Sequence, residues 1–177
     1  PSSELVEKPS ANDELVGGEV NDGEMVVNAT AGAVSLEALE LAGEDTLKDK
    51  VLVDISNPLD FSQGMPPMLL MSNTDSLGEQ IQRRFPEAKV VKTLHTMKAY
   101  LMVDPSQLAG ADHTMFVSGN DAEAKTTVTE LLRDFGWTDI IDLGDITTAR
   151  GTEMLLPMWL RLFGALQKPV FNFKIVC

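Results

Sequence analysis

The stretch Val90–Pro105, VVKTLHTMKAYLMVDP, puts the most chemically useful side chains of the sequence in adjacent positions. A short β-branched run ends at His95, and Thr96, Met97 and Lys98 follow at once. A histidine there is either the mark of a cofactor site or a polar residue closing a strand. Acid–base chemistry has little support elsewhere. Asp54, Glu79 and Asp145 read as loop, cap and helix-face carboxylates, and no two of them form a convincing dyad. The second histidine, His113, has no carboxylate at ligand spacing, so the pair does not make a metal site. The one cysteine, Cys177, rules out an internal disulfide framework and a multi-cysteine metal site.

Charge narrows the ligand. The net charge is −13, unevenly spread. Residues 1–60 hold 14 acidic side chains against 3 lysines, whereas residues 61–177 hold 13 acidic against 11 basic. A chain this acidic does not bind nucleic acid non-specifically, because phosphate contacts need clustered Lys and Arg. A small anionic ligand is drawn to the second part. No apolar run reaches the length of a membrane span and no signal segment is visible, so the expected setting is cytoplasmic.

The elements that must position His95 follow from periodicity. Residues 1–23 form an acidic segment with no clear period, expected to be poorly ordered or re-sited. From residue 24 strands alternate with helices. Glu24–Ala29, Lys50–Ile55, Lys89–Leu94, Thr114–Ser118 and Asp139–Leu143 read as short buried strands. A helix runs from Ser35 to Leu41. Residues 59–73, with Gly64 and Pro66-Pro67, read as a long loop. Thr74 or Asp75 caps the next helix, which ends near Phe85-Pro86, and Asn120 caps another with Glu123 in capping-box position. The longest helix spans about Thr147–Leu166, kinked at Pro157 and apolar enough to be buried on most faces, in part by another subunit. Phe171–Val176 reads as a final strand. The fold class is α/β with a mainly parallel, Rossmann-like sheet.

Ligands of such sheets sit beyond the carboxyl ends of the strands. That rule selects Asn28-Ala29-Thr30, Ser56-Asn57-Pro58, His95-Thr96-Met97 and Gly144-Asp145.

At this point the sequence resembles the NADP-dependent coenzyme F420 reductases. The matching stretches are MVVNATAGA, VLVDISNPLDF, DSLGEQIQRRFPEAKVVKTLHTM, FVSGND, IDLGDITTARGTEMLLPMWLRLFGAL and FNFKI, spread from Met25 to Ile175. That family opens with a strand, a G-x-G-x-x-G turn and a helix, which this sequence does not contain; Gly17-Gly18 is its only early glycine pair. The expectation is an N-terminally truncated, incomplete dinucleotide-binding domain over residues 24–177.

The resemblance implies hydride transfer between NADP and coenzyme F420, in which two flat rings are stacked and the protein aligns them. It implies that Asn28, Ala29, Thr30 and Ala31 border the nicotinamide, with Asn57 and Pro58 on the same cleft. It implies that His95, Thr96 and Met97 meet the deazaflavin, the imidazole donating a hydrogen bond to the ring's carbonyl edge. Thr147, Thr148 and Arg150 face the cleft in the family, and Lys98 and Arg150 suit the phosphate and glutamate tail of F420. Each has a plainer reading: a strand-to-helix turn, an Asn side chain bonded locally, a strand-end histidine, threonines capping a helix, an arginine in a surface ion pair. The Met and Trp stripe of the last helix reads as core or as the interface of a homodimer rather than as a ligand wall. Two other functions stay open, an NADP-dependent reductase of a flavin, metal ion or imine, and a non-catalytic dimerising or ligand-sensing module.

Overall fold

Three short strands, each ending on one polar residue, build one side of the sheet, from its edge to its middle. They are MVVN, VLVD and KVVK. A computed structural model of the protein describes residues 24–177; the segment 1–23 lies outside the described residues. The elements follow in the order β1 (Met25–Asn28), α1 (Ser35–Ala42), α2 (Glu44–Leu47), β2 (Val51–Asp54), β3 (Leu59–Asp60), β4 (Met68–Leu69), α3 (Leu77–Arg84), β5 (Lys89–Lys92), α4 (Ala99–Val103), β6 (Thr114–Gly119), α5 (Ala122–Asp134), β7 (Asp139–Gly144), α6 (Ala149–Glu153) and α7 (Leu155–Leu166).

The main sheet has the order β1-β2-β5-β6-β7. β1, β2 and β5 are parallel, β6 is antiparallel to β5, and β7 is parallel to β6. The α/β class and the mainly parallel sheet are as expected. Alternate strand residues feed two apolar layers. Leu52 and Val90 pack with Leu39, Leu77, Ile81 and Ile146 on one side. Val53 and Val91 pack with Met115, Val117, Val128, Leu132 and Trp137 on the other. No helix among the described residues is long and apolar enough to cross a membrane.

Several local expectations are corrected. Residues 59–73 hold a short antiparallel pair, β3 with β4. The cap of α3 is Ser76, whose Oγ accepts from the Glu79 amide and donates to its carboxylate. Asp121, not Asn120, caps α5 by accepting from Ala124 N–H. Asn120 instead accepts from the Ile146 amide. The long last helix is two, α6 and α7, broken at Met154. Pro157 explains the break, because its ring would collide with the carbonyl four residues back and it has no N–H to give. Residues 171–176 form no ladder. Nor is α7 buried on most faces: Met158 and Leu166 are about half exposed and only Leu156 is buried.

Candidate functional site

Register places three polar strand ends side by side. Asn28 lies opposite Asp54, and Asp54 opposite Lys92. Residues in register on neighbouring strands share a face about 4.8 Å apart. All three side chains are buried. Lys92 Nζ donates to Asp54 at 2.8 Å and to the Ser56 carbonyl at 2.6 Å, and Glu153 of α6 lies 3.3 Å away. Asn28 Nδ2 donates to Asp54 at 2.9 Å and to Ser35 at 3.1 Å. Glu153 also accepts the Leu77 and Gly78 amides, the orphan donors of the first turn of α3. A buried ion pair in this surrounding is stable only because its remaining lone pairs and protons are also bonded. Burial pushes the Glu153 carboxyl up, against the pull of Lys92 and of those amides. Asp54 is thus a buried strand-end carboxylate, not a loop group as its sequence suggested.

Upon this row sit the loops that face the candidate site. Asn28 Oδ1 accepts from the Thr30 amide and hydroxyl, and Thr30 shares a hydrogen bond with Ser35. The β1–α1 loop is fixed by its own polar groups, leaving Ala29 and Ala31 exposed. Gly32 presses on the next loop: a Cβ at that position would lie 2.1 Å from the Asn57 carbonyl oxygen and 2.8 Å from the Pro58 Cα. Asn57 does not bond locally. Its Nδ2 donates to the His95 carbonyl at 3.0 Å and ties the end of β2 to the end of β5.

The chain leaves β5 through Leu94 at φ 61°. That left-handed conformation is rare for a bulky residue and costs about 1–2 kcal/mol. Leu94 is held there by Met97 and Leu101 in the same apolar cluster. The turn buries His95 and brings its Nδ1 to 3.3 Å from the Thr93 carbonyl. Facing a carbonyl, Nδ1 carries the proton, so Nε2 presents a lone pair. Burial, then the nearby Lys92 charge, push the His95 pKa down to about 3, against the weaker pull of Asp54 and of the Thr93 and Thr152 backbone. The imidazole is neutral at physiological pH.

A cavity of about 140 Å³ opens beside this turn, lined by Asn57, Leu59, His95, Thr96, Met97, Lys98, Leu156, Trp159 and Leu160. The structure therefore gathers five of the expected site residues around one space. It does not bring Thr147, Thr148 or Arg150 to it. The reason is strand direction: β6 and β7 run opposite to β5, so their carboxyl ends point away. Thr147 bonds to Asp145, Thr148 to Ser118, and both Nε and an Nη of Arg150 to Glu79. The Arg150 guanidinium holds the Glu79 carboxyl below its usual range. His113 is buried, donating through Nε2 to Pro105 and accepting at Nδ1 from Asn172.

Sequence reasoning missed Lys92, Glu153 and Trp159. A signal for the first was present, since each of the three runs ends on one polar residue. Among the described residues, four buried side-chain atoms have no hydrogen-bond partner: Asn57 Oδ1, His95 Nε2, Trp159 Nε1 and Asn172 Oδ1. Three of the four belong to residues that line the cavity. Unpartnered buried polar groups are costly, so they gather where a polar ligand belongs. The cavity combines apolar walls, neutral polar groups and the ammonium of Lys98.

Comparison with known proteins places this arrangement. No family model matches the chain. A crystal structure of a candidate F420-dependent NADP reductase from Arthrobacter sp. FB24 is 66% identical, with a TM-score of 0.88 over 89% of this chain and 72% of that one. The chain belongs to the F420-dependent NADP reductase family. The F420-dependent NADP reductase of Methanocaldococcus jannaschii is 26% identical over 166 residues, 91% of this chain and 73% of that protein. The metalloreductase STEAP3 of Rattus norvegicus is 32% identical over 120 residues, 65% of this chain, and the chain spans about a fifth (22%) of its length. In this chain, the row Asn28–Asp54–Lys92 is the floor beneath the strand-end loops.

Proposed function

We propose that the protein transfers a hydride between NADP(H) and coenzyme F420, and that residues 24–177 supply the ring-binding half of that reaction. The observation that carries this reading is the cavity at the end of β5, whose unpartnered buried polar atoms call for a polar heterocycle. When bound, the nicotinamide and deazaflavin rings supply the donor and acceptor carbons. The chain aligns and desolvates them. Neutral His95 accepts a hydrogen bond from an N–H on the edge of the deazaflavin, and the amides of Thr96 and Met97 serve its carbonyl oxygens. Ala29, Thr30 and Ala31, fixed through Asn28, leave room for the nicotinamide, with Asn57 and Pro58 between the two rings. Lys98 meets the anionic tail; Arg150 is spent on Glu79. Pyrophosphate binding needs a G-x-G-x-x-G strand–turn–helix, which the sequence does not contain. We further propose a homodimer formed through α7, where Met154, Met158, Phe163 and Leu166 are exposed, and a cytoplasmic setting.

The test is hydride exchange by the chain joined to a G-x-G-x-x-G unit, followed by the absorbance of oxidised deazaflavin. The expected result is reduction of NADP by reduced F420 that outpaces exchange with flavin mononucleotide, a ferric chelate or a cyclic imine. A preference for any of those three overturns the reading.

A further inference from the structure

We propose that residues 171–175 are a strap that sets the shape of the ring cavity, with Phe171 as a positioning residue acting through Trp159. The inference rests on the reading of the cavity as the deazaflavin site.

The strap is pinned at closely spaced points. The Thr114 amide donates to the Phe173 carbonyl at 2.9 Å, and the Ile175 amide donates to Thr114 Oγ1 at 2.9 Å. Asn172 Nδ2 donates to His113 Nδ1 at 2.9 Å and reaches the Thr114 carbonyl at 3.3 Å. Lys174 bridges Asp112 at 2.8 Å and Asp139 at 3.0 Å. These contacts use the first residue of β6 and the buried His113 as a post. His113 is itself held by Pro105 and packs edge-on against Trp137 at 4.7 Å. Beyond the end of α7, residues 171–175 are tied to the sheet by backbone and side chain together.

What the pinning achieves is visible at Phe171. Its ring stacks on Trp159 at 4.8 Å with an interplanar angle of 24°. Trp159 also stacks on Phe163 at 5.7 Å, and Lys98 Nζ lies 5.6 Å from the centroids of both. Trp159 and Lys98 both line the cavity. The indole is therefore held from the side by a residue that the strap locks in place, and the ammonium that meets the tail is held over the same aromatic pair. Without Phe171 the indole has one stacking partner fewer, and the wall of the cavity loses its fixed position.

The test uses the full chain with Phe171→Ala, Phe171→Tyr and Asn172→Ala. Asn172→Ala loosens the strap next to Phe171, by removing the bonds to His113 and to the Thr114 carbonyl, without touching the stack. Two readouts are taken: iodide quenching of tryptophan fluorescence, and titration with F420 and with a deazaflavin lacking the phosphate and glutamate tail. Trp137 is buried, so iodide reports on Trp159. Phe171→Ala and Asn172→Ala are expected to raise quenching and to raise Kd for both deazaflavins about threefold to tenfold, the worth of one aromatic pair. Phe171→Tyr is expected to restore both. Unchanged quenching in Phe171→Ala and Asn172→Ala overturns the strap whatever the ligand does. Changed quenching with unchanged Kd overturns its role in shaping the cavity. If the wild-type chain binds neither deazaflavin, the functional reading fails, while the quenching result still decides whether the strap positions Trp159.

Discussion

Lys92 shows how one residue can support a site that it never lines. Its ammonium is bonded to Asp54, to the Ser56 carbonyl and, within ion-pair distance, to Glu153, with no side-chain exposure. Replacing it by Met leaves two buried carboxylates without their cation. The expected loss is about 3–5 kcal/mol of stability in urea unfolding, and Asp54→Asn with Glu153→Gln in the same chain is expected to recover much of it. His95 gives a pH signature. Its folded pKa of about 3 lies below the ordinary 6.5, so below pH 6.5 the unfolded chain takes up a proton that the folded chain refuses. The stabilisation is complete above pH 6.5 and is lost progressively as pH falls toward 3. Between pH 7 and 5 the urea midpoint of His95→Gln is expected to fall less than that of the wild type. An equal fall in both would locate the sensitivity elsewhere. His95 and Asn57 were legible in the sequence because a strand end is a place that pattern alone can find, whereas Lys98 entered only through the family resemblance. Lys92 and Glu153 were not, because a lysine in a strand reads as a surface residue until its partner arrives from a helix remote in sequence.

At the scale of elements, the close approach of Gly32 to Asn57 and Pro58 is the contact that brings the two strand-end loops together. Alanine there would place a methyl group inside the Asn57 carbonyl. Gly32→Ala is expected to cost about 1–3 kcal/mol and to break the Asn57–His95 bond, seen as loss of the Asn57 side-chain amide shift in an NMR spectrum. The strands and most helices were readable from apolar runs and turn residues. Their directions were not. A period of two marks a strand equally well whichever way it runs, so the reversal between β5 and β6 was invisible, and with it the displacement of Thr147, Thr148 and Arg150 from the cavity. Pro157 was visible, but not that its effect falls at Met154, where the carbonyl ladder is interrupted.

For the whole molecule, the two apolar layers close around the sheet while α7 stays largely open. If the exposed Met158 and Leu166 meet the same face of a second copy, Met158→Glu with Leu166→Glu is expected to halve the mass measured by light scattering. An unchanged mass would remove α7 from the interface. The floor of the site adds a different kind of handle. An amine-acylating reagent reaches the ammonium groups at the surface within the native protein, but the one under the strand-end loops is sealed by the sheet, α3 and α6 together. It takes up the label only when that whole assembly opens. The rate at which Lys92 is acylated is then a count of openings, and a ligand that closes the loops above it is expected to slow that count without touching the residue.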